Sequence, residues 1–113
     1  MEARIAASVL AGALIRKAEG EGGFGAVLAK GDATAGSILV ILLEKGVNPR
    51  LLERLLQPDG GYQWLESGSQ RIENSREVPE FIARLRRFDP DSWLIELDIP
   101  SAERFAAEMN ALD

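Results

Sequence analysis

The sequence predicts an α+β fold: an N-terminal helix, a four-stranded antiparallel meander from Phe24 to Glu66, a helix from Pro79 to Phe88, a fifth strand from Trp93 and a terminal helix. Three observations carry that reading. The first is the segment FGAVLAKGDATAGSILVILLEK, Phe24 to Lys45, in which two apolar runs flank a Gly, Asp and Thr turn, the pattern of a hairpin. Its second run, Ile38 to Leu43, is six consecutive aliphatic residues, so both faces of that strand are buried and it belongs at the centre of a sheet. The second observation is helical periodicity in Ile5 to Ile15 and in Val78 to Phe88. The third is the period-two alternation of Trp93 to Asp98.

The first helix comes with an ambiguity, because eleven small or apolar residues behind Arg4 resemble the core of a signal peptide. The run stops at Arg16 and Lys17, no small-residue cleavage site follows, and the stretch is too short to span a bilayer. A helix in a cytoplasmic protein is therefore expected. Projected at the α-helical period, Arg4, Ser8, Gly12, Arg16 and Glu19 form one narrow polar stripe. The remaining apolar face is wider than a surface helix needs. It is either covered by further elements of the same chain or used between subunits, with Ala3, Ala7 and Ala11 allowing close approach in a homodimer.

Gly20 to Gly23 end that helix and open the first strand. Glycines placed after a helix and before a strand have the reverse of nucleotide-loop geometry. The loop Gly31 to Gly36 reads as a turn, with presentation of backbone amides to an anion as the alternative. Arg50 to Gln57 is open between helix and strand: Asn48, Pro49 and the leucines at helical spacing favour a helix. Pro58, Asp59, Gly60 and Gly61 before Tyr62 favour a hairpin. Trp93, Ile95 and Leu97 alternate with Glu96 and Asp98, which reads as a half-exposed strand, and Ala102, Phe105, Ala106 and Met109 share a stripe on the last helix.

A chain of 113 residues is the size of one domain, 1–113, and 46% hydrophobic with 27% charged residues is a globular composition. Thirteen Lys and Arg against eighteen Asp and Glu give a net charge of −5, a field that repels nucleic acid and anionic membranes. The chain has no Cys and no His, which removes thiolate nucleophiles, the common zinc sites and the usual general base. No cofactor or metal is expected from this composition.

Three constellations carry what chemistry remains. Arg84, Arg86 and Arg87 on one helix are suited to a phosphate or an acidic partner, or form a solvated face with Arg84 paired to Glu80. Asp89 and Asp91, with Asp98 or Asp59, offer oxygens to a divalent cation, or serve as turn chemistry around Pro90. Tyr62, Trp64 and Trp93 line a pocket or fill the core.

The strings GGFGAVLAKGDATAGSILV, RLLERLLQPDGGYQW and VPEFIARLRRFDPDSWLIELD, across Ile5 to Asp98, resemble the short bacterial family DUF1491, a domain of unknown function. The most specific parts are Gly31, Asp32, Ala35 and Gly36 with Arg86 to Asp91 and Trp93. The resemblance implies a small bacterial protein and an extended Arg50 to Gln57, and it implies no activity. The tail after Asp98 is longer than the family pattern requires. The expectation for function is a non-catalytic binding or assembly module, a homodimer with an unidentified protein or small anionic partner. One alternative is a carboxylate-based enzyme, with or without an assisting metal, using Asp32, Asp89 or Asp91 with Arg86 or Arg87. The other is a nucleic-acid or anion binder through an arginine patch that also includes Arg4, Arg16 and Lys17.

Overall fold

Residues 5–67 and 72–111 are described by the computed structural model. The elements are α1 (Ala7–Gly20), β1 (Phe24–Ala29), β2 (Ile38–Glu44), β3 (Val47–Leu56), β4 (Tyr62–Glu66), α2 (Val78–Phe88), β5 (Trp93–Ile99) and α3 (Ala102–Ala111), with one short 3-10 turn, Ser75–Glu77, ahead of α2. The chain is thus α+β, with the elements in the predicted order. Residues 50–56 are extended, as the resemblance implied.

Strands β1 to β4 alternate in direction as a meander, but β5 is inserted between the first two. The five-stranded order is β1-β5-β2-β3-β4. β5 runs antiparallel to β1, from Phe24 opposite Asp98 to Ala29 opposite Leu94, and parallel to β2, from Ile38 opposite Trp93 to Glu44 opposite Ile99. The hairpin expected between β1 and β2 is therefore open, and the Gly31 to Gly36 loop is a crossover that steps over the start of β5. The same insertion corrects the half-exposed reading of β5. Leu94 and Ile95, on opposite faces, are both fully buried, because β5 has a strand on each side and helices above and below.

Helices α1 and α3 cover one face of the sheet. There Leu10, Ala11 and Leu14 of α1 with Phe105 and Met109 of α3 meet Val40, Leu42, Ile95, Leu97 and Trp64. The other face is covered by α2, whose Phe81 and Leu85 meet Leu39, Ile41, Leu51 and Leu94. Val40 and Ile41 in β2 are both fully buried, which places that strand at the centre as its unbroken apolar run predicts.

The small-residue stripe of α1 has a role different from the one between subunits. Ala7 and Ala11 are 4% and 2% exposed and pack onto the sheet of their own chain, so their small side chains bring α1 close to its own strands. Gly25 shows how close: a β-carbon there would lie 2.7 Å from Leu97 Cδ2 and 3.1 Å from Ile15 Cγ1. Val9 of α1 and Ile5 just ahead of it are left outside. Ala3 and Arg4 lie outside the described residues.

Turn chemistry agrees with this arrangement. β2 and β3 are joined by Lys45 and Gly46, both at positive φ (51° and 81°), the two-residue hairpin turn whose twist matches the strands it joins. Asp98 Oδ1 accepts the Gly46 amide at 3.0 Å, and Glu44 Oε1 accepts the Ala102 amide at 2.8 Å, capping α3. Lys17 joins the two helices of the first face, donating to Glu21 and Glu108 at 2.8 Å each.

That ammonium holds the Glu108 carboxyl at about 2, down from its ordinary 4.5. A carboxyl depressed by folding stabilises the folded state above its unfolded pKa and loses that contribution as protons bind. The melting temperature is therefore expected to fall as pH drops from about 4.5 towards 2. Glu108→Gln removes part of that slope while leaving the neutral-pH fold intact. Thermal melts of both proteins across that range check this, and parallel curves would exclude the Lys17 to Glu108 contact as a contributor.

Candidate functional site

The family-like residues meet where the crossover loop passes β5. Asp32 N donates to Asp91 O at 2.9 Å, Trp93 N donates to Ser37 O at 2.7 Å, and the Trp93 indole Nε1 donates to Asp32 O at 2.7 Å. The loop is held in shape from within, since Asp32 Oδ2 accepts the amides of Ala35 at 2.8 Å and Thr34 at 3.1 Å. Those two amides keep the Asp32 carboxyl below its ordinary pKa, so it stays ionised as a turn-forming acceptor. Gly31 and Gly36 straddle one carbonyl. A β-carbon on either would sit 2.2 Å from Asp91 O. On its far side the same loop caps α1, whose Ala7 and Ser8 amides donate to Thr34 O and Ala33 O.

Asp89 closes the other side of the crossing by accepting the Ser92 hydroxyl at 2.6 Å, and its own amide bonds Leu85 O at the end of α2. Ser92 is the buried polar side chain among the described residues, so this bond satisfies a group that has left water. Asp91 contributes its backbone carbonyl to the crossing while its side chain is exposed. Asp59, at the β3 to β4 turn, accepts the Gly61 amide, and Asp98 serves the β2 to β3 turn. Among the described residues no three acidic side chains converge in a way that would hold a metal ion.

The three arginines do not form one cluster. Arg84 and Arg87, three apart, share a flank of α2, and Arg86 projects from the opposite side. Arg84 lies 5.5 Å from the Phe81 ring and Arg87 5.2 Å from the Phe88 ring, both within cation–π range, and neither pairs with Glu80. Arg84 and Asp89 do come together. They line an open groove of about 300 Å³ between α2 and the β2 to β3 surface, with Leu39, Glu53, Leu55 and Phe88 among the other walls. Of the aromatic trio, Trp64 and Trp93 are buried in the core, and Tyr62 stacks beneath the Arg54 guanidinium at 4.1 Å.

Sequence reasoning missed two groups of exposed apolar side chains. Phe88 is 77% exposed beside Leu55 and Leu65 at the open end of the α2 face. Phe24 and Val27 are 61% and 45% exposed on β1, an edge strand. The uncharged sequence Phe24 to Ala29 was the available signal, but it reads as an edge only once β5 is known to lie beside it.

A profile described as protein of unknown function DUF1491 matches residues 5–107, nearly the whole chain. The chain belongs to the DUF1491 family. The match extends past Asp98 into α3, so most of the C-terminal helix lies within the family pattern rather than beyond it. The crystal structure of a DUF1491 family protein from Caulobacter crescentus CB15 is similar at a TM-score of 0.76 and 30% identity, covering 90% of this chain and 94% of that one. An NMR structure of a DUF1491 family protein from the same organism gives 0.72 and 29%, over 93% and 94%. The solution structure of protein Atu0922 from A. tumefaciens shares the fold at 0.72 and 24% identity, over 92% and 93%. No curated protein matches the chain.

In this DUF1491 protein the Gly31, Asp32, Gly36 and Trp93 motif is accounted for by the crossing of two chain segments. Gly36→Ala is accordingly expected to destabilise by several kcal/mol, on the order of 2–4, because its methyl group meets backbone that has no room to move. Urea unfolding measures it. A loss under about 0.5 kcal/mol, the scale of an inert surface change, would show that the loop can move away from Asp91.

Proposed function

We propose that this protein is a non-catalytic binding and assembly module that works in the bacterial cytoplasm as a homodimer. The observation that carries the reading is how its chemistry-bearing and apolar groups are used. Asp32, Asp89 and Asp98 spend their oxygens on turn amides and a buried hydroxyl, whereas Phe24, Val27, Phe88, Leu55 and Leu65 face outward. Polar groups committed to internal bonds are poor general acids or bases, and clustered exposed apolar side chains mark contact surfaces.

The arginines extend the reading to an acidic partner. Arg84 stands at the rim of the groove bordered by Phe88 and Leu55, without an ion pair among the described residues, and Arg87 continues the same flank. A guanidinium above an apolar floor suits a carboxylate or phosphate carried on a hydrophobic frame. Asp89, Asp91 and Arg86 border this end of α2 and would tune its selectivity by charge. A carboxylate-based enzyme using Asp32, Asp89 or Asp91 with Arg86 or Arg87 would need a carboxylate and a guanidinium of that set in one cleft; of these residues, Asp89 alone lines this groove.

Assembly is the testable part. Light scattering over a wide concentration range is expected to give a mass of twice 12.3 kDa at the upper end. A mass of 12.3 kDa throughout would overturn the homodimer.

A further inference from the structure

The two edges of the sheet are treated differently. At the β4 edge, the Trp64 amide points away from β3 and is taken by Asn110 Oδ1 of α3 at 2.6 Å, so a side chain occupies a position where another strand would bond. At the β1 edge the Gly23 amide, just ahead of the strand, is taken by Ala18 O of α1 at 2.9 Å, but Phe24 to Ala29 has no side chain at its outward amides among the described residues. Phe24 to Ala29 carries no charge and no proline, the usual means of discouraging edge pairing, and it exposes Phe24, Ala26 and Val27. Its one protective feature is the register shift between Val27 and Ala29, which leaves the stretch before it straight.

We infer that β1 pairs with β1 of a second copy, antiparallel about a two-fold axis near Gly25, joining two five-stranded sheets into one. This deepens the proposed homodimer and rests on it. Three features fix the occupant as a second copy. Directly opposed residues in such a pair share a face, so an axis at Gly25 sets Phe24 against Ala26 and Val27 against Gly23 of the copy, a large side chain against a small one at each position. Gly23 must be small on its own account, since a β-carbon there would lie 2.0 Å from Asp98 O. Charge favours the same orientation. Lys30, which has no ion pair within the described residues, follows the strand, and antiparallel pairing carries it towards the exposed Glu19 of the copy, whereas parallel pairing would set like charges together.

The guarded β4 edge completes the argument. A β1 to β4 contact between copies would be head-to-tail and would continue as a filament. Asn110 at the Trp64 amide opposes it, leaving the closed two-fold pair. The paired stretch spans only residues 23–27, and at its ends the Gly23 amide stays with Ala18 O so that Gly23 offers the copy its carbonyl alone, and the dimer is expected to dissociate on dilution.

The test separates this interface from dimerisation itself. Val27→Lys places a charge on an exposed edge position, and Phe88→Ser removes the apolar side chain at the other exposed patch. The expected result is a dimeric wild type, a folded monomeric Val27→Lys with an unchanged circular dichroism spectrum, and a dimeric Phe88→Ser. In wild type the amides of residues 24–27 should exchange more slowly at high protein concentration than at low, a readout that holds even if Val27→Lys fails to fold. A Val27→Lys that stays dimeric, or concentration-independent exchange in β1 of a dimeric protein, would overturn the edge pairing and leave the homodimer standing elsewhere. A wild type that is monomeric throughout would overturn both.

Discussion

The passage of the crossover loop over Asp91 is the constraint on which the rest of the structure depends. One carbonyl oxygen lies between Gly31 and Gly36, accepts the Asp32 amide, and permits no β-carbon on either side. Around it, Trp93 anchors the loop twice, through its own amide to Ser37 and through its indole to Asp32. Each such bond contributes only about 1 kcal/mol net, but a buried donor left without its acceptor costs roughly 1–3 kcal/mol. The crossing is therefore stabilised less by the strength of any one contact than by the expense of undoing one while the others hold.

The loop also relays that order to both layers of helices. Its Ala33 and Thr34 carbonyls cap α1, while Asp89 and Ser92, just past α2, brace the segment it crosses. The opposite end of the sheet has a matching device of side chains rather than glycines: Glu44 caps α3, Asp98 holds the Lys45 to Gly46 turn, and Lys17 links α1 to α3. Polar residues that looked in sequence like candidate chemistry are in this way spent on joining elements far apart in the chain.

Local structure was legible because it depends on local signals. The aliphatic run Ile38 to Leu43, the Pro79 start of α2 and the alternation of β5 are written in neighbouring residues, and the elements stand where those patterns put them. Partner choice between strands was not, because nothing in Phe24 to Lys45 says that Trp93 to Ile99 will slip between its halves. The half-exposed reading of β5 failed for a related reason. Glu96 and Asp98 made one face look solvated, yet Asp98 is occupied by the Gly46 amide and Leu94 on that face is covered by α2. The wide apolar face of α1 is taken up by its own chain, with Ala7 and Ala11 packed closely on the sheet, and Val9 of the helix and Ile5 ahead of it remain outside. Of the candidate site, the sequence named Arg84 and Asp89; it could not show that Arg86 faces away from them or that Phe88 is left bare.

The position of β5 has a consequence for how the protein is made. An interior strand supplied by residues 93–99 leaves the ribosome after all four of the strands it joins. Until it emerges, β1 has no partner and β2 lacks one of its two neighbours, so only the β2, β3 and β4 hairpins can form before then. Domains generally fold as their segments appear, and non-local pairing is the slow step because loop closure precedes its reward. Between the appearance of β2 and that of β5 the nascent chain therefore exposes an unpaired, fully apolar strand, and the sheet is completed only when β5 threads between two waiting strands.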